Sequence, residues 1–483
     1  MLFNSIDFLI FLPIVFLLYW FVLNKNLKIQ NLLLLIASYV FYAWWDYRFL
    51  SLIALSTLVD FFIGIKIHET EHIKKRKWWL WFSMSFNLGL LGFFKYFNFF
   101  IDSWVDAFNT FGYKMDYYSL QIILPVGISF YTFQTMSYSL DISKRNLEPT
   151  KDFVAFATFV SFFPQLVAGP IERASNLLPQ FFSKRKFNYA MAVDGSRQML
   201  WGLFKKIVIA DNCAPFVNDV FQNYSIQSSG TLILGVIIFA FQIYADFSGY
   251  TDIAIGTAKL FGFEFKRNFN YPYFATNISD FWKRWHISLS SWLNDYVFTP
   301  LAINFRDYKK RGVFAAVFVT FLLSGLWHGA GWNYIVWGGL HGLFYIPIIF
   351  SKKRFTAIST NKGIKKNTST LKDLHKMVIT FILVCFTYIF FRAENLNHAI
   401  RFLKTIYFGI LNGNLFNIAK PNIIVLLLIP ILIWFEWLQR EHEHGLYLTH
   451  IKQPIIRGGI YLSIFISILF FGASSSPFIY FQF

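Results

Sequence analysis

Apolar stretches of roughly membrane length recur along this chain, separated by short charged segments. The first, FLIFLPIVFLLYWFVL, precedes Lys25 and Lys28. Further runs cover about 29–45, 48–65 and 78–97, then 377–392, 421–438 and 458–473. Each is close to the ~20 residues that a helix needs to cross a hydrocarbon core. Short alternating segments, the mark of a membrane β-barrel, are not visible. The pattern therefore predicts an all-α, polytopic membrane protein. Between 98 and 345 the runs are interrupted: LPVGISFYTFQTMSYSLDISK and FVSFFPQLVAGPIER carry Pro125, Gly127, Pro164 and Gly169-Pro170. Broken backbone at membrane depth is tolerated only inside protein or beside a water-filled cavity. These segments are expected to be re-entrant or discontinuous helices, with simple proline kinks as the alternative.

Composition agrees with that class. Of 483 residues 56% are hydrophobic, 21% aromatic and only 14% charged, against about a quarter charged in ordinary soluble domains. A soluble enzyme could not hide so much apolar surface, and a disordered chain would not contain it. The net charge of +18 has no basic, solvent-facing domain with which to bind nucleic acid. Lysine and arginine collected in cytoplasmic loops account for it. Lys74, Lys75, Arg76 and Lys77 mark one such loop; Ser351 to Lys376, with Lys352, Lys353, Arg354, Lys365 and Lys366, marks a second; Arg440, Lys452 and Arg457 mark a third. This parity places both termini outside. Asp7 at the start of the first run, with no positive charge before it and no small-residue cleavage site after it, makes a removable signal peptide unexpected. Cys213 and Cys385 have no bridging or metal-ligand spacing. No internal repeat is visible, and the only low-complexity segment is 355–372.

The ten histidines are the most informative residues. His68, His72, His375, His398, His442, His444 and His450 lie in polar surroundings and are expected to be solvated. His286, His328 and His341 lie in apolar ones, and an ionisable side chain at membrane depth is a functional-site hypothesis. His328 sits in VTFLLSGLWHGAGWNYIVWGGLHG, among six glycines and beside Trp327, Trp332 and Trp337. Desolvation favours its neutral form, which a general base requires; a hydrogen bond between helices is the competing account. His286 follows Asp280, Lys283 and Arg284 in a segment read as a membrane-surface or re-entrant helix anchored by Trp282, Trp285 and Trp292. His341 would lie about 20 Å from His328 on one continuous helix, so a structural role is expected unless the helix breaks at Gly338-Gly339. Asp246 and Asp252, at the end of the run 231–245, are expected to pair with a basic residue of a neighbouring segment. Neither has metal-ligand spacing with a histidine. P-loop, dinucleotide and G-x-S-x-G patterns are also missing.

The stretches YADFSGYTDIAIGTAKLFGFEFKRNFNYPYFATNISDFWKRWHISLSSWL and FLLSGLWHGAGWNYIVWGGLHG resemble the membrane-bound O-acyltransferases (MBOAT), in the bacterial branch of alginate O-acetylation proteins. LPVGISFYTFQTMSY and SFFPQLVAGPIER also resemble that branch, so the likeness covers nearly the whole chain. It implies one integral-membrane domain over 1–483: N-terminal helices in 1–97, a catalytic core in 98–345, and C-terminal helices with an outward tail in 346–483. It also implies about eleven spans and re-entrant segments around a central tunnel. The family's active-site histidine falls on His328 and its second polar position on His286, with Trp282, Trp285, Trp327, Trp332 and Asp246 as lining candidates. The implied reaction uses acetyl-CoA from the cytoplasm, with no bound cofactor and no metal. It modifies an extracytoplasmic polysaccharide (alginate, peptidoglycan or another envelope glycan) through a periplasmic partner of the SGNH-hydrolase type at the bacterial inner membrane. D-alanyl transfer, as in a related branch, is the alternative within the class. A glycan or acyl transporter would share the broken helices, and a membrane scaffold would make His328 dispensable. Tyr480, in the tail SSSPFIYFQF, is a candidate acyl relay, because a phenol with a pKa near 10 ionises far more readily than a sugar hydroxyl; an interfacial aromatic anchor is the alternative.

Overall fold

A computed structural model describes residues 1–113, 120–351, 370–473 and 478–479. Among the described residues all regular structure is helical. Six stretches are long and apolar enough to cross a membrane: Leu27–Glu69, Ser229–Leu260, Arg306–His328, Trp332–Phe350, Leu371–Arg392 and Pro454–Phe471. Ile6–Val22 and Ile423–Leu438 are shorter apolar helices. Most apolar runs read from the sequence form helices within a few residues of their expected limits, but the run 231–245 continues as one helix to Leu260, and the run 78–97 lies in Ile73–Leu91, the π turn Gly92–Tyr96 and the start of Phe97–Thr110. The second basic loop falls mostly on 352–369, outside the described residues. The chain divides into two compact units, one of 1–199 with 253–266 and the other of 200–252 with 267–483.

In the first unit, Leu27–Asp46 and Leu50–Glu69 are separated by one 3₁₀ turn, Tyr47–Phe49. Asn26 starts the first helix by accepting from the N–H groups of Lys28 and Ile29. Asp46 starts the turn by accepting from Arg48 N–H. These caps satisfy helix-end donors that have no intrahelical partner. Asp60 of the second helix is fully buried. It accepts from Ser83 Oγ at 2.6 Å and Asn87 Nδ2 at 2.8 Å, both on Ile73–Leu91, and from Ser139 Oγ of Ile128–Ser143 at 3.4 Å. Three helices are thus joined by polar contacts inside apolar packing.

Of the interrupted segments, the first is a regular, buried helix, Ile128–Ser143, entered at Gly127, and the second is irregular and buried. Residues 162–171 are non-helical, and every one is buried. Their backbone groups find local or side-chain partners: Gln165 N–H donates to Phe162 O, Gly169 N–H to Gln165 O, and Phe163 N–H to Ser38 Oγ. Gly127 (φ +79°) opens the Ile128–Ser143 helix, and a Cβ there would lie 2.6 Å from Leu166 O. The breaks at Gly127 and Pro164 are therefore changes of chain direction, beyond a kink.

In the second unit, Lys309–His328 and Trp332–Leu343 form a hairpin that turns through Gly329–Gly331. A Cβ at Gly325 would strike the Tyr334 carbonyl, and one at Gly338 the Phe321 carbonyl. Side-chain-free residues at both positions let the two backbones meet. Ile278–Trp282 and Ile287–Leu293 are two short helices where one membrane-surface or re-entrant helix was expected. Trp282, Trp285 and Trp292 are 6%, 3% and 4% exposed, so they are packed residues and not interfacial anchors. Their rings lie against Phe281, His341 and Tyr296. Both cysteines are buried thiols.

Candidate active site

His286 occupies the junction between the two short helices. Its φ of +45° lies in the left-handed region, which costs a non-glycine residue energy and persists only where surrounding structure fixes it. Here Asn268 does so: its carbonyl accepts from Ile287 N–H at 2.9 Å, and its Oδ1 accepts from Ser288 N–H at 3.1 Å and Ser288 Oγ at 2.9 Å. Asn270 N–H donates to Arg284 O, while Arg284 pairs with Asp280 at 2.8 Å. The imidazole is fully buried, edge-on to Phe247 at 4.7 Å and 5.8 Å from the Trp327 ring. Burial holds this imidazole, which lies outside the six candidate spans, well below its usual pKa and therefore uncharged.

His328 is the last residue of the Lys309–His328 helix and is 4% exposed. Trp327 and Trp337 each lie 4.9 Å from its ring centroid and Phe391 lies 5.3 Å away. The Trp327 indole thus touches both His286 and His328. The two histidines, 42 positions apart in sequence, share one aromatic enclosure.

His341 serves that enclosure from behind. The helix breaks at Gly329–Gly331 and not at Gly338-Gly339, and His341, one turn beyond Trp337 on Trp332–Leu343, lies 4.8 Å from that ring, the same one that faces His328. Trp282 Nε1–H donates to His341 Nδ1 at 3.2 Å. Thr387 gives its hydroxyl proton to Val384 O at 2.7 Å, so it accepts from His341 Nε2–H at 3.0 Å. Both ring nitrogens are occupied in a neutral Nε2–H tautomer. That leaves His341 no lone pair for base chemistry and gives it a structural task, fixing Trp282 and Trp337.

Asp246 is buried and paired with Lys206 at 2.7 Å, and Asp252 pairs with Lys205 at 2.6 Å. The expected pairing with a neighbouring basic segment is present. Lys206 also meets Asp211 at 2.8 Å, and Tyr244 donates to Glu436 at 2.7 Å. The sequence reading passed over Lys205 and Lys206, although two adjacent lysines inside WGLFKKIVIA were a signal of internal charge. Trp285 is buried and stacked on Phe281, whereas Trp332 is 55% exposed at the start of its helix. Tyr480 lies outside the described residues. His444, expected to be solvated, is buried, because its turn packs Gly445 against Trp201. A cleft of about 550 Å³, lined by Tyr224, Arg401, Lys404 and Phe408 among others, shares no residue with the histidine enclosure. Among the described residues no group of three or more His, Cys, Asp or Glu side chains is placed to hold a metal ion.

Two buried imidazoles that share one indole, in a helical chain with six stretches long and apolar enough to cross a membrane, suit proton transfer away from bulk water. The chain belongs to the membrane-bound O-acyltransferase family: the family's model matches residues 142–390, which contain His286, His328 and His341. It is an O-acyltransferase and a multi-pass membrane protein. Among curated relatives, it is 39% identical over 413 residues to the probable alginate O-acetylase AlgI of Pseudomonas aeruginosa, covering 84% of this chain and 75% of that one. It is 38% identical over 434 residues to the peptidoglycan O-acetyltransferase of Helicobacter pylori, covering 84% and 79%. A third relative, the teichoic acid D-alanyltransferase of Bacillus subtilis, is 28% identical over 287 residues, covering 56% of this chain and 70% of that one.

Proposed function

We propose that this enzyme carries an acetyl group from cytoplasmic acetyl-CoA to an extracytoplasmic polysaccharide, with His328 as general base. The observation that carries the reading is the His328 imidazole at the end of a membrane helix, enclosed by Trp327, Trp337 and Phe391. His328 takes the proton of the acceptor hydroxyl as its oxygen attacks the thioester carbonyl. The tetrahedral intermediate then expels CoA thiolate, which takes that proton and leaves as the thiol. General-base help of this kind contributes about 10²–10⁴-fold. His286 hydrogen-bonds the developing oxyanion or the leaving sulfur. Basic cytoplasmic loops meet the CoA phosphates, and Trp282, Trp285 and Trp327 line the path.

The acceptor is an envelope glycan, alginate and peptidoglycan being the polymers in the names of the two O-acetylating relatives. A periplasmic SGNH-type partner completes the transfer, in a bacterial inner membrane with both termini outside. Tyr480 relays the acetyl group as a phenyl ester. The D-alanyltransferase relative supports a second donor, a D-alanyl thioester on a carrier protein. Purified protein incubated with labelled acetyl-CoA should release CoA and label its acceptor. Turnover retained in His328→Ala removes the base; turnover with D-alanyl carrier alone replaces the donor; full activity in Tyr480→Phe removes the relay.

A further inference from the structure

The C-terminal segment is tied into the same unit as the histidines by polar contacts, one of them to a buried ion pair that the transfer chemistry does not use. Chain ends ordinarily fray unless they are held down. Three hydrogen bonds hold the described residues Phe471, Ala473 and Ile479, and all three come from the stretch 206–212 or its ion partner. Asn212 Nδ2 donates to Phe471 O at 2.8 Å, and Ala473 N–H donates to Ile207 O at 3.4 Å. Further on, Ile479 N–H donates to Asp246 Oδ2 at 2.7 Å. The other oxygen of Asp246 faces Lys206 Nζ at 2.7 Å, and Lys206 in turn faces Asp211 at 2.8 Å. Phe478 and Ile479 are 2% and 4% exposed. The Phe478 ring lies 4.8 Å from Tyr250 and 5.8 Å from Phe247, whose other side meets His286 at 4.7 Å.

Burying three charges is costly, and such groups add little net stability over well-packed apolar residues. The arrangement is therefore poorly explained as a means of holding the helices together. It has a feature that apolar packing lacks: a carboxylate oriented by a lysine and turned toward one backbone N–H of an incoming strand of chain.

We propose that Lys206 and Asp246 are positioning residues that clasp the C-terminal segment, so that Phe478 and Ile479 form a wall of the acyl-transfer site on the His286 side. The catalytic consequence rests on the reading given under Proposed function; the docking does not. Full-length protein in detergent is digested with carboxypeptidase and followed by intact mass. The same preparations are assayed for CoA release. Ile479→Pro removes the single N–H donor and leaves every charge in place. Asp246→Asn weakens the clasp at its other end, and Lys206→Arg keeps the cation. Trimming past position 479 is expected to be slow in the wild type and Lys206→Arg, and about tenfold or more faster in Ile479→Pro and Asp246→Asn, as expected for loss of a charge-assisted hydrogen bond. The two released variants should lose kcat by roughly 10²-fold through misplacement of the site wall, with KM for acetyl-CoA little changed. Unaltered trimming in both variants overturns the clasp. Released tails with full kcat overturn its role in the site. If the wild type releases no CoA at all, the acyl-transfer reading falls, and the trimming rates alone still decide the docking.

Discussion

Two buried carboxylates in this molecule are treated in opposite ways. Asp60 in the first unit is met by the hydroxyls of Ser83 and Ser139 and the amide of Asn87. Ser56 and Thr135 donate to the Asn87 carbonyl and extend the same neutral network. Asp246 in the second unit is met by the Lys206 ammonium and a backbone N–H. Neutral donors spread over three helices work as interhelical glue. A charge chain concentrates its directional force on one point, and that point is one aromatic ring removed from His286. The difference separates a region that holds the fold from a region that holds the chemistry.

That separation can be broken by experiment. The largest effect belongs to His328→Ala, which should lower acyl transfer by at least about 10²-fold while helical content and size-exclusion behaviour stay those of the wild type. Turnover near the wild-type rate would move the chemistry elsewhere. Asp60→Leu should do the reverse. It strips the acceptor from Ser83 and Asn87, at about 1–3 kcal/mol for each buried donor left unpaired, and lowers the thermal midpoint without changing turnover per folded molecule. Asp60→Asn, which keeps an acceptor, should fall between it and the wild type. A fall in turnover per folded molecule in Asp60→Leu or Asp60→Asn would erase the contrast. The smallest effect is expected of Thr387→Val, which keeps the shape but leaves His341 Nε2–H without its acceptor. It should cost about 1–3 kcal/mol and loosen Trp282 and Trp337, seen as a shifted tryptophan emission with only a modest decline in kcat. An unchanged spectrum would detach His341 from the aromatic enclosure.

The long apolar runs were legible because membrane length and hydropathy are local properties, and Leu27–Asp46, Leu50–Glu69 and Leu374–Arg392 lie within a few residues of the predicted spans. The breaks at Gly127 and Pro164 were legible for the same reason, since glycine and proline act on the backbone where they stand. What composition could not reveal is partnership. Lys206 and Asp246 are 40 residues apart, and Trp282 meets His341 across 59. Trp282, Trp285 and Trp292 were assigned to an interface because indoles beside charges usually occur there, yet their rings are buried among other aromatic side chains. Asp60 went unremarked as one acid in LSLIALSTLVDFFIGIKIH, although the basic residues of that run, Lys66 and His68, stand six and eight positions further on. The candidate roles of His286 and His328 came from apolar context and family likeness; their common neighbour, Trp327, required the folded chain.

The seam between Lys309–His328 and Trp332–Leu343 has a consequence for which substitutions this hairpin can accept. Where Gly325 meets the Tyr334 carbonyl and Gly338 meets the Phe321 carbonyl, main chain rests on main chain. A pocket is usually enlarged by shortening a side chain in its wall, and along this line there is nothing left to shorten. Growth at either glycine can only drive the hairpin apart and carry His328 away from Trp337 and Phe391.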